Sequence, residues 1–596
     1  MRIKDALANL HKEHADDKIN PLYTPWGENL DKTNIWQEYP RPQMKRSHYQ
    51  MLHGEWDYAI VSKSEDKSFE SQGTILVPFS PETLLSGVER QLQPDEYLWY
   101  QKELTFTEDE LSRKAQKERC VLHFDAVDQQ AVVLINGVEV MRHYGGYLPF
   151  SVDITDYVSA QAMILQVQVQ DDSDTSYHTR GKQTLKRGGM FYTAQSGIWQ
   201  SVWYEWVPEN YVETFRITPN YDEASVKVEL VSKERFSDVT IETEENISYE
   251  LATEVVSGGC CTTITMHFED EQFEEWSPEN PKLYQFILKA DQDWIQSYFA
   301  MRAFTIEKDE KEVPRFCLNH KPYFLNGVLD QGYWPDGLLT APCDEAFVYD
   351  IELAKNLGFN MIRKHIKIEP LRRYYHCDRL GMIVWQDMVN GGTKYNMPFV
   401  CYMPTALPAL GRVVRDNTYH MFSRKSEEGR KRWEEECKGT VAHLYNVPSI
   451  STWVPFNEAW GQFDAARIAG DVKTQDPTRT VDHASGWFDQ KAGDFNSVHN
   501  YFRKLKVEKD DKRAFVISEY GGYACHIKGH SSVDRIFGYK KYESTDDVSK
   551  AFKELIEQQI YPLVEAGLSG AVYTQLSDIE EEVNGLVTYD RKIVKM

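Results

Sequence analysis

Two β-sandwiches followed by a (β/α)8 barrel, a multidomain architecture, are what this sequence predicts. Three observations carry the prediction. Short alternating apolar runs, punctuated by Gly, Pro and Asn, fill residues 1–208. A second set of alternating runs, of different character, fills residues 209–305. From residue 306 to 596, apolar runs alternate with amphipathic helical stretches, which is the pattern of a parallel α/β fold. A chain of 596 residues is also too long for a single core.

The first region reads as a jelly-roll sandwich. Strands fall at 98–106, 120–124, 131–135, 163–169 and 202–206. Asn136-Gly137, between VVLI and VEVM, marks a two-residue hairpin, because both central positions of that turn need positive φ. The second region has the size and strand spacing of an immunoglobulin-like sandwich, with VKVELV, DVTIETE, CTTITMHF and YQFILKA as strands. Trp-Ser-Pro-Glu-Asn-Pro at 276–281 is its rigid loop, and nothing in this region is patterned for reactivity. In the third region eight strands fall at 323–328, 360–365, 382–386, 449–456, 480–483, 497–500, 514–518 and 570–575, with helices such as 346–357 and 427–444 between them. No GxGxxG follows the first strand, which argues against a Rossmann sheet.

Composition narrows the partners. A net charge of −25 argues against nucleic acid and anionic membrane surfaces. No run is long and apolar enough to span a bilayer, and the opening MRIKDALANLHKEHADDK has no apolar core of a signal peptide. Nine cysteines without a CxxC are expected as free thiols, which fits a cytoplasmic location. Fifteen Trp, 34 Tyr and 27 Phe beside many carboxylates suit a small-molecule carbohydrate, although large cores also use aromatics. The sequence leaves oligomeric state open, a homo-oligomer included.

The most informative stretch is SISTWVPFNEAWG, residues 449–461. It puts Asn457 and Glu458 at the end of an apolar strand. A buried carboxyl there has its pKa raised by desolvation, which is what a general acid needs. In a (β/α)8 barrel, reactive groups stand at the C-terminal strand ends. Those ends carry Asp330, Arg363, His365, Asp387, Asn457, Glu458, His483, His499, Tyr501, Glu519, Gln575 and Asp578. Strands four and seven face each other across the ring, so Glu458 and Glu519 do too. Two carboxyls about 5–5.5 Å apart serve a retaining glycosidase, and about 6.5–9.5 Å an inverting one. The competing chemistry is metal-assisted hydrolysis by His365, Asp387, His483, His499 and His526. It lacks HExxH or another ligand motif.

The chain resembles glycoside hydrolase family 2, the group of β-galactosidases, β-glucuronidases and β-mannosidases, over nearly its whole length. The resemblance rests on YPRPQMKRSHYQMLHGEWDYAI, LHFDAVDQQAVVLINGVEV, HYGGYLPFSVDIT and SGIWQSVWYEWVP in the first region, and on WSPENPKLY in the second. In the barrel it rests on FLNGVLDQG, NMIRKHIKIEP, DRLGMIVWQDM, PSISTWVPFNEAWG and VISEYGG. It implies a retaining exo-β-glycosidase. Glu458 matches the acid/base and Glu519 the nucleophile. Asn457 matches the contact to the sugar 2-OH, Arg363 the charge beside the nucleophile, and Tyr501 the phenol that bonds it. Glu519 is then expected to have a low pKa and Glu458 a raised one.

Substrate is less sharply implied. A β-galactosidase-like specificity is the first expectation, with β-mannoside, β-glucuronide and other sugars as alternatives. Asp330, Trp334, Trp385, Asp387, His499 and Tyr573 are expected sugar contacts, Tyr573 standing where many relatives have tryptophan. The β-glucuronidase Asn-x-Lys is not evident in NGLVTYDRKIVKM. No cofactor is expected, and a structural Mg, Ca or Na ion is left open. Residues 388–422 form a long, aromatic, Met-rich insert expected to wall the pocket or meet another subunit. A carbohydrate-binding protein without turnover is the reading of a different class. The presence of both glutamates argues against it. Transglycosylation would use the same residues.

Overall fold

The computed structural model describes residues 19–596 apart from 65–68, 245–246, 257 and 270–271. The first sandwich pairs a six-stranded antiparallel sheet, with Gly73–Val77 and Val138–Tyr144 at its edges, with a four-stranded one containing Arg119–Phe124 and Val202–Val207. Strand Met163–Gln170 alternates between buried and half-buried residues, so Met163, Leu165, Val167 and Val169 face the core. The hairpin at Asn136-Gly137 forms, with φ +51° and +80° at the two turn residues and Ile135 paired to Val138.

The second sandwich has four strands in one sheet and three in the other. They enclose Val226, Val228, Leu230, Ile264, Phe286, Leu288 and Phe299. A small three-stranded sheet, Phe304–Lys308, Pro314–Leu318 and Lys321–Pro322, leads from it into the barrel. Its Phe316 stacks against Phe495, so it sits at the end of the barrel away from the functional loops.

Eight parallel strands then form the barrel: β1 (Leu325–Asp330), β2 (Met361–Lys364), β3 (Ile383–Asp387), β4 (Ile450–Val454), β5 (Thr480–Val481), β6 (Phe495–Asn500), β7 (Ala514–Gly521) and β8 (Leu568–Thr574). Their order is β5-β4-β3-β2-β1-β8-β7-β6. Among the described residues no strand ladder joins β5 to β6. One backbone bond, Asp494 N to Val481 O at 2.8 Å, and the Asp494 carboxylate on Val481 N bridge the gap. Helices follow β1, β2, β3, β4 and β7, but the chain after β5 and after β6 is loop. Helix Glu427–Leu444 shows why these helices form: Ser426 caps Gly429 N at 3.0 Å, and Trp433, Cys437, Val441 and Leu444 make one buried stripe. No helix among the described residues is long and apolar enough to cross a membrane.

Candidate active site

The groups that converge at the C-terminal strand ends are organised by Arg363 of β2. Its guanidinium is fully buried and every nitrogen is used. Nε and Nη2 fork onto Asp387 at 3.0 Å each, Nη2 also donates to Asn457 Oδ1 at 2.8 Å, and Nη1 donates to Glu519 Oε1 at 3.3 Å. This fork orients three side chains, from β3, from β7 and from the chain just past β4. It also turns the Asn457 amide so that Nδ2 has no partner among the described residues and is free to donate to a ligand.

Glu458 lies four residues past β4. Its amide bonds Ser485 O at 3.0 Å, which extends the edge of β4 along the chain that follows β5. Glu458 and Ala459 have φ of +48° and +61°, a left-handed pair that swings the carboxyl into the mouth. Trp460 Nε1 donates to Glu458 Oε2 at 3.1 Å. His499 Nδ1 lies 2.8 Å from Glu458 Oε1 and 3.3 Å from Glu519 Oε2, and its Nε2 lies 3.1 Å from Ser485 Oγ. Burial pushes the His499 pKa down to about 4, so the ring is neutral near pH 7 and stands between the two glutamates. Tyr501 OH donates to Glu519 Oε2, bonds Thr574 Oγ1 at 3.1 Å, and stacks on Tyr539 at 3.9 Å. His365 Nδ1 donates to Asp387 at 2.8 Å.

Burial raises the pKa of both glutamates. For Glu458 this is the expected direction. For Glu519 it corrects the expected low value: desolvation of the carboxylate, with the neighbouring Glu458 charge, outweighs His499, Arg363 and Lys182. Each glutamate has a carboxylate oxygen within 4.8 Å of the other's, with His499 Nδ1 inside the same span. Among the described residues this is the one group of three potential ligands close enough to hold a metal. His483 is not in it and bonds Asp489 instead.

Four expected sugar contacts are placed elsewhere. Asp330 accepts from Lys364, Arg373 and the Gly332 amide, which spends its oxygens on a buried ion network. Trp385 is wholly buried against Phe495 in the barrel interior. Trp334 lies under Arg591, 4.1 Å from the ring centroid. Tyr573 points away from the mouth and packs against Phe552 and Tyr520, while the next residue, Thr574, faces inward. Strand alternation makes that difference of one residue decisive.

The insert contributes the outer wall. Met397, Val400, Cys401 and Phe422 pack with Ala459, Trp460 and Phe488, and Tyr395 meets the Trp460 ring edge-on at 4.9 Å. Its tip, with Leu407, Leu410 and Val413, is exposed. A cavity of ≈ 420 Å³ lies between the insert and residues 498–508, with His499 and Tyr501 on its wall. Sequence reasoning missed residues of the first sandwich that reach this mouth: Lys182, Tyr192 and Phe191. Phe191 packs on Trp460 at 5.3 Å, and Tyr192 OH donates to Glu582. Their stretch, RGKQTLKRGGMFY, is Gly-rich and polar like any surface loop, so no local signal reveals its destination.

Three family models match in series: the sugar-binding domain of glycosyl hydrolases family 2 over residues 88–208, the family 2 domain over 210–302, and its TIM barrel domain over 310–594. The chain belongs to glycosyl hydrolase family 2. Among family 2 relatives, a putative β-glucuronidase of Formosa agariphila is 24% identical over 73% of this chain and 51% of its own length. A β-galactosidase of Photobacterium profundum is 28% identical over 83% of this chain and 47% of its own length. The chain thus spans about half the length of these curated relatives. Among solved structures, a β-D-glucuronidase of Dictyoglomus thermophilum has a TM-score of 0.67 at 17% identity, covering 94% of this chain and 97% of its own. A family 2 β-galacturonidase of Eisenbergiella tayi has a TM-score of 0.63 at 18% identity, covering 94% and 96%. At these identities the likeness is one of fold.

Proposed function

We propose that this chain is a retaining exo-β-glycosidase that hydrolyses terminal β-linked sugars by double displacement. The observation that carries the reading is the approach of the Glu458 and Glu519 oxygens to within 4.8 Å. An approach this close supports the retaining arrangement, about 5–5.5 Å between carboxyls, over the wider inverting one.

In the first step Glu458, whose pKa burial raises, gives its proton to the glycosidic oxygen. Glu519 attacks the anomeric carbon, the bond to the aglycone breaks, and the sugar is esterified to Glu519. In the second step Glu458, now a carboxylate, takes a proton from water, whose oxygen displaces Glu519 with the original configuration restored. Arg363 and Tyr501 supply the donors that stabilise Glu519 as an anion whenever it is free. Asn457 Nδ2 offers a donor to the ring hydroxyls. The route needs no cofactor, so EDTA should leave activity intact; loss on chelation would give the Glu458–His499–Glu519 group to a metal. Nine unpaired cysteines suit a reducing cytoplasm, where small imported glycosides would be the substrates.

The test is a panel of p-nitrophenyl β-glycosides run with wild type, Glu519→Ala and Glu458→Gln. Turnover should fall by several orders of magnitude in both variants, while sugar binding survives in Glu458→Gln. The first-formed sugar, followed by proton NMR, should be the β anomer. Early appearance of the α anomer would overturn the retaining mechanism, and unchanged turnover in Glu519→Ala would remove that residue from it.

A further inference from the structure

Lys182 enters the catalytic mouth from outside the barrel. Its loop is fixed on both sides: the Arg180 and Gly181 amides donate to Asn390 O at 2.9 and 3.0 Å, and the Tyr192 amide donates to Lys182 O at 3.0 Å. Gly181 lies flat on the chain beyond β2, where even a Cβ would come within 3.1 Å of Ile366 O. The Lys182 side chain lines a small cavity with Gln331, His365 and Lys367, at the ends of β1 and β2. Its charge acts on Glu458, Glu519 and Asp387, and is the strongest cationic influence on Glu458.

This ammonium has no hydrogen-bond or ion-pair partner among the described residues; its nearest aromatic face, Tyr192, is 6.0 Å away. The neighbouring lysines differ. Lys364 is held by Asp330 and Glu369, and Lys367 by Glu369 and two carbonyls. The carboxylates facing Lys182 are already committed. Asp387 accepts from Arg363 and His365, Glu519 accepts from Arg363 and Tyr501, and Glu458 accepts from Trp460 and is hydrogen-bonded to His499. The C-terminal lysines are spent as well, Lys595 on Asp578 and Lys592 on Glu28. Half-exposed, this ammonium is left to water, and an anion entering the mouth would meet a cation that no protein group has claimed.

We propose that Lys182 is a binding residue for an anionic group on the glycone, the carboxylate of a uronide or the phosphate ester of a sugar phosphate. The proposal rests on the glycosidase reading above and places a neutral β-galactoside behind an anionic sugar. It assigns the charge that selects the substrate to the first sandwich, while the barrel supplies the groups that cleave it.

Free monosaccharides test this without turnover. Wild-type protein is titrated by calorimetry with D-glucuronate, D-galacturonate, glucose 6-phosphate and galactose 6-phosphate, each beside its neutral parent. At least one anionic sugar should bind about tenfold or more tightly than its parent, as a single charge-assisted contact allows. The uronate and phosphate arms tell which anion it is. The preference should collapse in Lys182→Gln and persist in part in Lys182→Arg. Equal or tighter binding of every neutral parent, or a preference that survives Lys182→Gln, would overturn the proposal. If Lys182→Gln does not fold, Lys182→Met takes its place in the same comparison, and a wild type without anion preference overturns the proposal by itself. Failure of the catalytic reading shows separately, in the Glu519→Ala assay.

Discussion

The two β-sandwiches meet the barrel at opposite ends. The first lays its 177–200 loop across the mouth, where Arg180 and Gly181 bond Asn390, Thr193 N bonds Glu580, and Gln195 accepts from Leu339 N. The second docks where β4 and β5 begin. Arg216 lies 3.6 Å over the Tyr445 ring and donates to Gln475 O, and Ile217 N donates to Asn446. Both interfaces are polar and ordered, but only the first shares side chains with the site. Sequence adjacency of a domain to the barrel therefore says little about its part in chemistry; the end it touches says much.

Mutations can sharpen or break that contrast. The reference point, with the largest effect, is Arg363→Ala at the centre of the mouth. It strands Asp387 and Glu519 without their buried cation, so stability should drop by about 3–5 kcal/mol in urea unfolding and turnover should be lost. Arg363→Lys keeps the charge but not the fork, and should recover stability more than rate. On the first sandwich, Tyr192→Phe removes the phenol shared by Glu582 and Gln331. A loss of about 1–3 kcal/mol is expected, with kcat/KM down about tenfold. Full activity in that variant would detach the first sandwich from the site. On the second, Arg216→Ala should lower stability by about 1 kcal/mol with kcat/KM unchanged. A fall in kcat/KM at intact stability would break the contrast from the other side.

The smallest effect concerns His320, which joins Glu307 to Asp222 of the second sandwich. Its pKa is raised, first by the Glu307 hydrogen bond. The folded pKa then exceeds the unfolded one, so the link contributes fully below about pH 6.5 and is lost as pH rises through the folded value. The pair is solvent-screened, so the effect is slight. His320→Gln should narrow the Tm difference between pH 6 and pH 9; an unchanged difference would mean the link carries no load.

Much of this was legible in the sequence because strand ends of a parallel barrel converge whatever their separation in the chain. Arg363, Asp387, Asn457, Glu458, His499, Tyr501 and Glu519 come together for that reason. What failed was the choice of face. Every residue of β3 and β8 is buried, so no apolar–polar alternation says that Trp385 packs against Phe495 or that Tyr573 turns outward beside the inward Thr574. Asp330 looked like a sugar contact because the cations that consume it, Lys364 and Arg373, lie 34 and 43 residues away. Lys182 was invisible for a similar reason: its loop has meaning only against a barrel that begins more than a hundred residues later.

The missing ladder between β5 and β6 has a mechanical consequence. A ring with one unstitched joint yields there first, so amides of β5 and β6 should take up deuterium ahead of those in β1 and β2, which are paired on both sides. The lips of that joint carry Ser485 and His499, and Glu458 is tied to both. Opening the joint by a small amount would part the Glu458 carboxyl from the His499 imidazole while the rest of the ring stays intact. On warming, hydrolysis should therefore fade at a temperature where circular dichroism still reports a folded protein.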